Sequence, residues 1–87
     1  RRIARLLLRL GEREGRRESG RLVIPIPLTR VGVADLVDST TPTVIRILAG
    51  WAQIGLVTMT RARITLKDEA ALFRIAGWKA EDRERLS

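Results

Sequence analysis

Arg46 is the one basic residue between positions 31 and 60, a stretch that also holds two carboxylates, Asp35 and Asp38. It lies in DSTTPTVIRILAGWAQIG, residues 38–55, a segment that opens on carboxylate, hydroxyl and proline residues and continues largely apolar. A guanidinium presents a planar fork of N–H donors that matches a phosphate, or the O6/N7 edge of guanine, through two parallel hydrogen bonds. The hydroxyls of Thr40, Thr41 and Thr43 can cap a helix or touch a phosphate, and the two roles are compatible. Covalent and acid–base chemistry is poorly supported, because the chain has no cysteine and no histidine and so lacks thiolate and imidazole metal ligands and the commonest general base. The neighbouring carboxylates Asp68 and Glu69 read as a helix start, where negative charge complements the dipole. The chemistry expected is thus non-covalent recognition by a protein that is not an enzyme and carries neither metal nor cofactor.

Eighty-seven residues allow one small domain whose core is marginal by surface-to-volume scaling. The formal net charge is +7, and 15 of the 17 basic residues are arginine. Residues 1–30 hold nine arginines against three glutamates, so the positive field flanks the segment of Arg46 instead of lying on it. Such a balance fits a polyanion partner, and it equally fits a merely solubilising surface. No apolar run is long enough to span a membrane, and RRIARLLLRL is periodic, unlike the continuous apolar block of a signal peptide; a soluble, cytoplasmic chain is expected.

Positioning elements follow from periodicity. Ile3, Leu6, Leu7 and Leu10 have the spacing of an amphipathic helix with Arg1, Arg5, Arg9 and Arg13 on another face and Gly15 as its stop. RRESG reads as a polar turn. Leu22, Ile24 and Ile26 then alternate as in a strand, which Pro25 and Pro27 confine to a sheet edge. Thr29 is a candidate N-cap for a short helix with Val33, Leu36 and Val37 inward, and DST breaks it. The helix after it starts at Thr40 or Thr41, with Pro42 at its first or second position, where a missing N–H is harmless. Val44, Ile47, Leu48 and Trp51 form its inner stripe, and Gly55 ends it. A hairpin over LVTMTRARITL, turning near Arg61 and Ala62, buries Val57, Ile64 and Leu66. Asp68 caps a last helix that packs Leu72, Phe73 and Ile75 and closes at Gly77. Residues 78–87 have no apolar stripe and are expected to fray or to lie helical on the surface.

Two short helices joined by a tight break, then a hairpin, is the order of a winged helix-turn-helix. Ala34 falls where the helices cross, and Asp38 at the turn. Thr41, Pro42, Ile45, Arg46 and Ala49 are left on the outer face. A helix entering a major groove tip-first requires small uncharged residues at its tip, a phosphate-friendly N-terminus and one long donor. The expected fold class is mainly α with small β-hairpins (α+β), a three-helix core plus a β-wing.

LTRVGVADLVDSTTPTVIRIL resembles the helix-turn-helix of the Crp/Fnr family of bacterial transcription regulators, whose pattern runs roughly L-T-R-x-x-[LI]-A-x-x-[VL]-G-x-S-x-E-T-V-x-R-x-L. RRIARLLLRLGEREG resembles the helix opening that family's DNA-binding domain, RLVIPIPLTR its first hairpin, and GLVTMTRARITLKDEAAL its wing and closing helix. The resemblance implies one DNA-binding domain over residues 1–87, with the helix-turn-helix at about 29–55, the wing at about 56–67 and the closing helix at about 68–77. Family members also carry an N-terminal cyclic-nucleotide-binding-like barrel and a dimerisation helix; neither pattern occurs in these residues, so the output domain alone is expected. Its effector would belong to the other domain. The implied partners are double-stranded DNA, a second copy in the full-length form, and RNA polymerase.

By position, the resemblance makes Arg46 a base reader, and Thr29, Thr40 and Thr43 phosphate contacts. Thr41 and Pro42 stand where relatives place an arginine or another residue and a glutamate, so Thr41, Pro42 and Ile45 are candidate base contacts of a different kind. Ile45 would meet a thymine methyl, or is a stray surface residue. Arg30, Arg61 and Arg63 are candidate phosphate contacts. Asp38 replaces the family's turn glycine, and Gly32 the glutamate that would complete a capping box with Thr29. Two rival readings remain: a winged-helix module for protein–protein contact, and a nonspecific nucleic-acid binder.

Overall fold

The structure is a computed structural model and describes residues 1–78; the expectation for the tail beyond Trp78 lies outside the described residues. In chain order the elements are α1 (Arg2–Glu14), β1 (Arg16–Glu18), β2 (Arg21–Ile24), α2 (Arg30–Leu36), α3 (Thr41–Gln53), β3 (Val57–Met59), β4 (Ile64–Leu66) and α4 (Glu69–Ala76). The fold is α+β, a winged helix-turn-helix, with the two hairpins joined into one antiparallel sheet of order β1-β2-β4-β3.

Helix boundaries follow local chemistry. Thr29 Oγ1 accepts from Gly32 N at 2.9 Å, so α2 is capped although the glutamate that would complete the box is missing. Asp68 Oδ1 accepts from Ala71 N at 3.0 Å at the start of α4. Gly55 (φ +81°) and Gly77 (φ +73°) adopt the left-handed conformation just past α3 and α4, and Leu56 N and Trp78 N reach back to Trp51 O and Phe73 O. Asp38 takes φ +55° in the turn between α2 and α3, a left-handed conformation that aspartate enters more readily than most residues.

Several expectations need correction. The buried arc of α1 is Ile3, Ala4, Leu7, Leu8 and Gly11, whereas Leu6 and Leu10 are only partly buried. Gly11 admits the side chain of Leu22 into the space a Cβ would fill, with Leu22 Cδ2 2.5 Å from that position. Leu36 is 62% exposed instead of inward, because the buried arc of α2 is centred on Val33, Ala34 and Val37 and residue 36 falls about 100° from its middle. RRESG is not simply a turn: Arg16–Glu18 forms β1, and the reversal is confined to Ser19 (φ +53°) and Gly20 (φ +79°). Nor is β2 an edge strand. It ends at Ile24, before Pro25, and lies between β1 and β4, with Leu22 opposite Leu66 and Ile24 opposite Ile64. Its prolines terminate the strand, which leaves every ladder donor in place.

One core joins these elements. Leu7, Ile24, Leu48, Ile64, Leu66 and Leu72 are each at most 1% exposed, and the partly buried Ile47, Trp51, Phe73 and Ile75 pack against this core. Ala34, 2% exposed, sits at the α2–α3 crossing, where its carbonyl accepts from Ser39 N at 2.9 Å. The result is a rigid base from which α3 and the wing project.

Candidate nucleic-acid interface

The start of α3 is built by threonines. Thr40 is the N-cap; its Oγ1 donates to Thr43 Oγ1 at 2.8 Å and accepts a long bond from Thr43 N at 3.4 Å. Helix α3 therefore begins at Thr41, and Pro42 takes the second position, where it removes one unpaired donor and fixes φ. No carboxylate stands in the first turn, so the positive end of the dipole is not neutralised from within.

Val44 and Leu48 anchor α3 to the core. The opposite face exposes Pro42, Ile45 (44% exposed), Arg46 and Ala49 at the spacing of one helical stripe, and Thr41 is half-buried beside it. Among the described residues Arg46 makes no ion pair or hydrogen bond, so its guanidinium donors face solvent. This stripe unites three of the four expected base-contacting residues, with Thr41 at its edge. An open groove brings together a second group, with Thr29 and Arg30 at the start of α2 on one wall and Met59, Thr60 and Arg61 of the wing on the other. The wing tip is held by Thr60: its N–H donates to Arg63 O at 2.9 Å, and its Oγ1 accepts from the N–H of Ala62 and of Arg63. That network presents Arg61 at the apex.

Arg63 is placed differently. Its Nη1 lies 3.2 Å from Glu18 Oε1, and Glu18 Oε2 also holds Arg16 Nε at 3.0 Å. The arginines of α1 are likewise engaged. Arg2 Nη1 donates to Val37 O at 3.2 Å, and Arg5 Nε to Ala76 O at 2.8 Å, so each supplies a cation to the carbonyl end of another helix. The guanidinium groups of Arg5 and Arg9 lie 5.9 and 5.5 Å from the ring centre of Trp78, which meets Phe73 edge-on at 5.8 Å. Arg17 binds both carboxylate oxygens of Glu69, and that pairing raises its pKa from the ordinary arginine value. Periodicity puts Arg5 and Arg9 on one face of α1 but does not reveal these partners. The only hint was the four-residue spacing of Arg1, Arg5 and Arg9, which stacks them over one strip of the helix.

No three acidic, histidine or cysteine residues cluster as a metal site, and no helix is long and apolar enough to cross a membrane, among the described residues.

Comparison with known proteins places the geometry in context. The model of the Crp-like helix-turn-helix domain matches residues 1–75. No curated protein matches the chain. Among solved structures, oxidized CprK in complex with o-chlorophenolacetic acid superposes with a TM-score of 0.84 at 22% identity, over 91% of this chain and 34% of that one. TTHB099, a transcriptional regulator of the CRP family from Thermus thermophilus, has a TM-score of 0.74 at 32% identity, over 86% of this chain and 38% of its own. TTHA1359, a transcriptional regulator of the CRP/FNR family from the same organism, gives 0.75 at 28% identity, over 87% and 39%. The chain thus spans little more than a third of the length of the structures it matches.

Proposed function

The chain belongs to the Crp-like helix-turn-helix family of DNA-binding transcription regulator domains, and from that premise we propose that it reads a specific double-stranded DNA sequence with α3 entering the major groove tip first. The observation that carries this reading is Arg46: an exposed guanidinium without a partner among the described residues, one turn into a stripe made otherwise of Pro42, Ile45 and Ala49. A small uncharged tip approaches base edges closely, and one bidentate donor then selects guanine. Thr41 and Pro42 shape that tip, and Ile45 offers its side chain to a thymine methyl. Thr29, Thr40, Thr43, Arg30 and Arg61 fix the register on the phosphates from the α3 start or the walls of the α2–wing groove, whereas Arg63, the sixth phosphate candidate of the sequence, is held by Glu18.

In this reading the domain performs no chemistry and needs no cofactor. A full-length form would act in the cytoplasm as a homodimer on a two-fold operator and pass its effect to RNA polymerase. The test is selection from a random duplex pool, followed by titration of the selected and scrambled duplexes across a salt series. A preference of at least about 10-fold for the selected duplex is expected, with a log–log salt slope of about −0.9 per neutralised phosphate. Equal affinity for all duplexes would reduce the protein to a nonspecific polyanion binder, and absence of duplex binding would leave the protein–protein module.

A further inference from the structure

The register of the sheet sorts its side chains onto two faces. Leu22, Ile24, Val57, Ile64 and Leu66 form the inner face and belong to the core. Arg16, Val23, Thr65 and Thr58 are opposite one another across the four strands and therefore share the outer face, together with Glu18 and Arg21, two residues along. Val23 is only 3% exposed yet stands outside the main core cluster, so it is covered from the outside by its polar neighbours. On this outer face Glu18, whose register partner is Arg21, pairs its carboxylate with two arginines, Arg16 and Arg63.

We infer that Glu18 is a specificity-determining residue: by occupying Arg63 and Arg16 it keeps the outer sheet face from gripping a phosphate backbone irrespective of sequence. The inference rests on the DNA-binding reading above. The side chains of Arg63 and Glu18 are 48% and 41% exposed, and an ion pair so hydrated is weak enough for a phosphate to displace. The displaced carboxylate stays beside the phosphate and repels it. Phosphate contacts supply most of the sequence-independent affinity, so a carboxylate that makes one of them costly lowers binding to random DNA more than it lowers the base contacts of α3. Arg61, Arg30 and Arg46 have no such partner among the described residues. The restraint therefore acts on one side of the wing only.

The test is a cycle of Glu18→Gln, Arg63→Ala and the double variant, each titrated with a random duplex across a salt series. Glu18→Gln removes the charge at a half-exposed site and keeps the side-chain shape. It is expected to tighten random-duplex binding roughly three- to ten-fold near 0.1 M salt and to steepen the log–log slope by about 0.9, one added phosphate contact. In the Arg63→Ala background most of that gain should vanish, and Glu18→Asp should restore the original slope. An equal gain with and without Arg63 would overturn the inference, since Glu18 would then act only as diffuse charge; so would an unchanged slope. A second measurement needs no DNA: the Arg63 Nε–H resonance is followed as inorganic tripolyphosphate is added. Half-maximal shift at several-fold lower concentration in Glu18→Gln than in the parent supports the competition, and equal concentrations refute it. Failure of every variant to bind duplex, with this resonance behaving as expected, would sink the DNA-binding reading while leaving the restraint on Arg63 intact.

Discussion

The outer stripe of α3 and the α1–hairpin side of the molecule use arginine in opposite ways. Between Thr40 and Ala49 there is one cation, Arg46, and among the described residues it has no ion-pair partner. From Arg1 to Arg21 there are eight, and those whose contacts are defined serve the fold: Arg2 and Arg5 close helix ends, Arg5 and Arg9 cover Trp78, Arg17 holds Glu69 and Arg16 holds Glu18. The density of positive charge is therefore a poor guide to the proposed recognition surface. What distinguishes that surface is a donor with no acceptor among the described residues.

Substitutions that separate stability from recognition put this contrast at risk. Leu72→Ala empties a fully buried site where α4 meets the core and should cost about 2–5 kcal/mol, a large share of a small domain's stability, while the folded fraction keeps its duplex preference. Chemical denaturation read beside competition titration checks both halves; a changed preference would show that the core and the reading stripe are coupled. Arg46→Ala should do the reverse. Its expected loss is about 1–3 kcal/mol of specific affinity, with random-duplex binding and melting temperature nearly unchanged. Equal weakening on specific and random duplexes would make Arg46 a phosphate contact and erase the distinction between the two regions.

Thr40→Ala sits between them, because Thr40 both caps α3 and is proposed to face a phosphate. A loss of about 1 kcal/mol in unfolding free energy is expected, together with a duplex slope shallower by up to one contact, and calorimetry with a salt series separates the two. The smallest effect belongs to Arg17→Ala. The pair with Glu69 is half exposed on the arginine side, so solvent screening limits its removal to at most about 1 kcal/mol, with no effect on DNA preference. A larger cost would mean that Arg17 also braces the first hairpin against α4.

Local signals were legible. Thr29, Thr40, Asp68, Gly55 and Gly77 mark helix ends through bonds that span three to five residues, and a sequence displays those partners directly. The stripe around Arg46 was legible for the same reason, since spacing on one helix decides it. Strand β1 was not, because Arg16, Arg17 and Glu18 lack apolar alternation and become a strand only by pairing with β2. Leu36 misled because an apolar residue near the inner arc of a seven-residue helix can fall just outside it. The partners of Arg5 and Arg63 lie 71 and 45 residues away in sequence, a distance at which no periodicity speaks.

The pairing of β2 with β4 carries a consequence for how the chain assembles. It brings Leu22 against Leu66 and thereby closes a loop that contains α2, α3 and β3 in full. Contacts between α2 and α3 are short in sequence and cost little chain entropy, whereas the strand pairing must first gather the loop's two ends. Helices α2 and α3 can therefore meet before the sheet seals, and sealing is the slower event. Because closure entropy grows only with the logarithm of loop length, about 0.6 kcal/mol for each doubling, added residues within the loop tax the fold lightly. Added length is thus tolerated in the exposed turns of this loop, while Val33, Ala34, Val44 and Leu48 hold its two helices to the core.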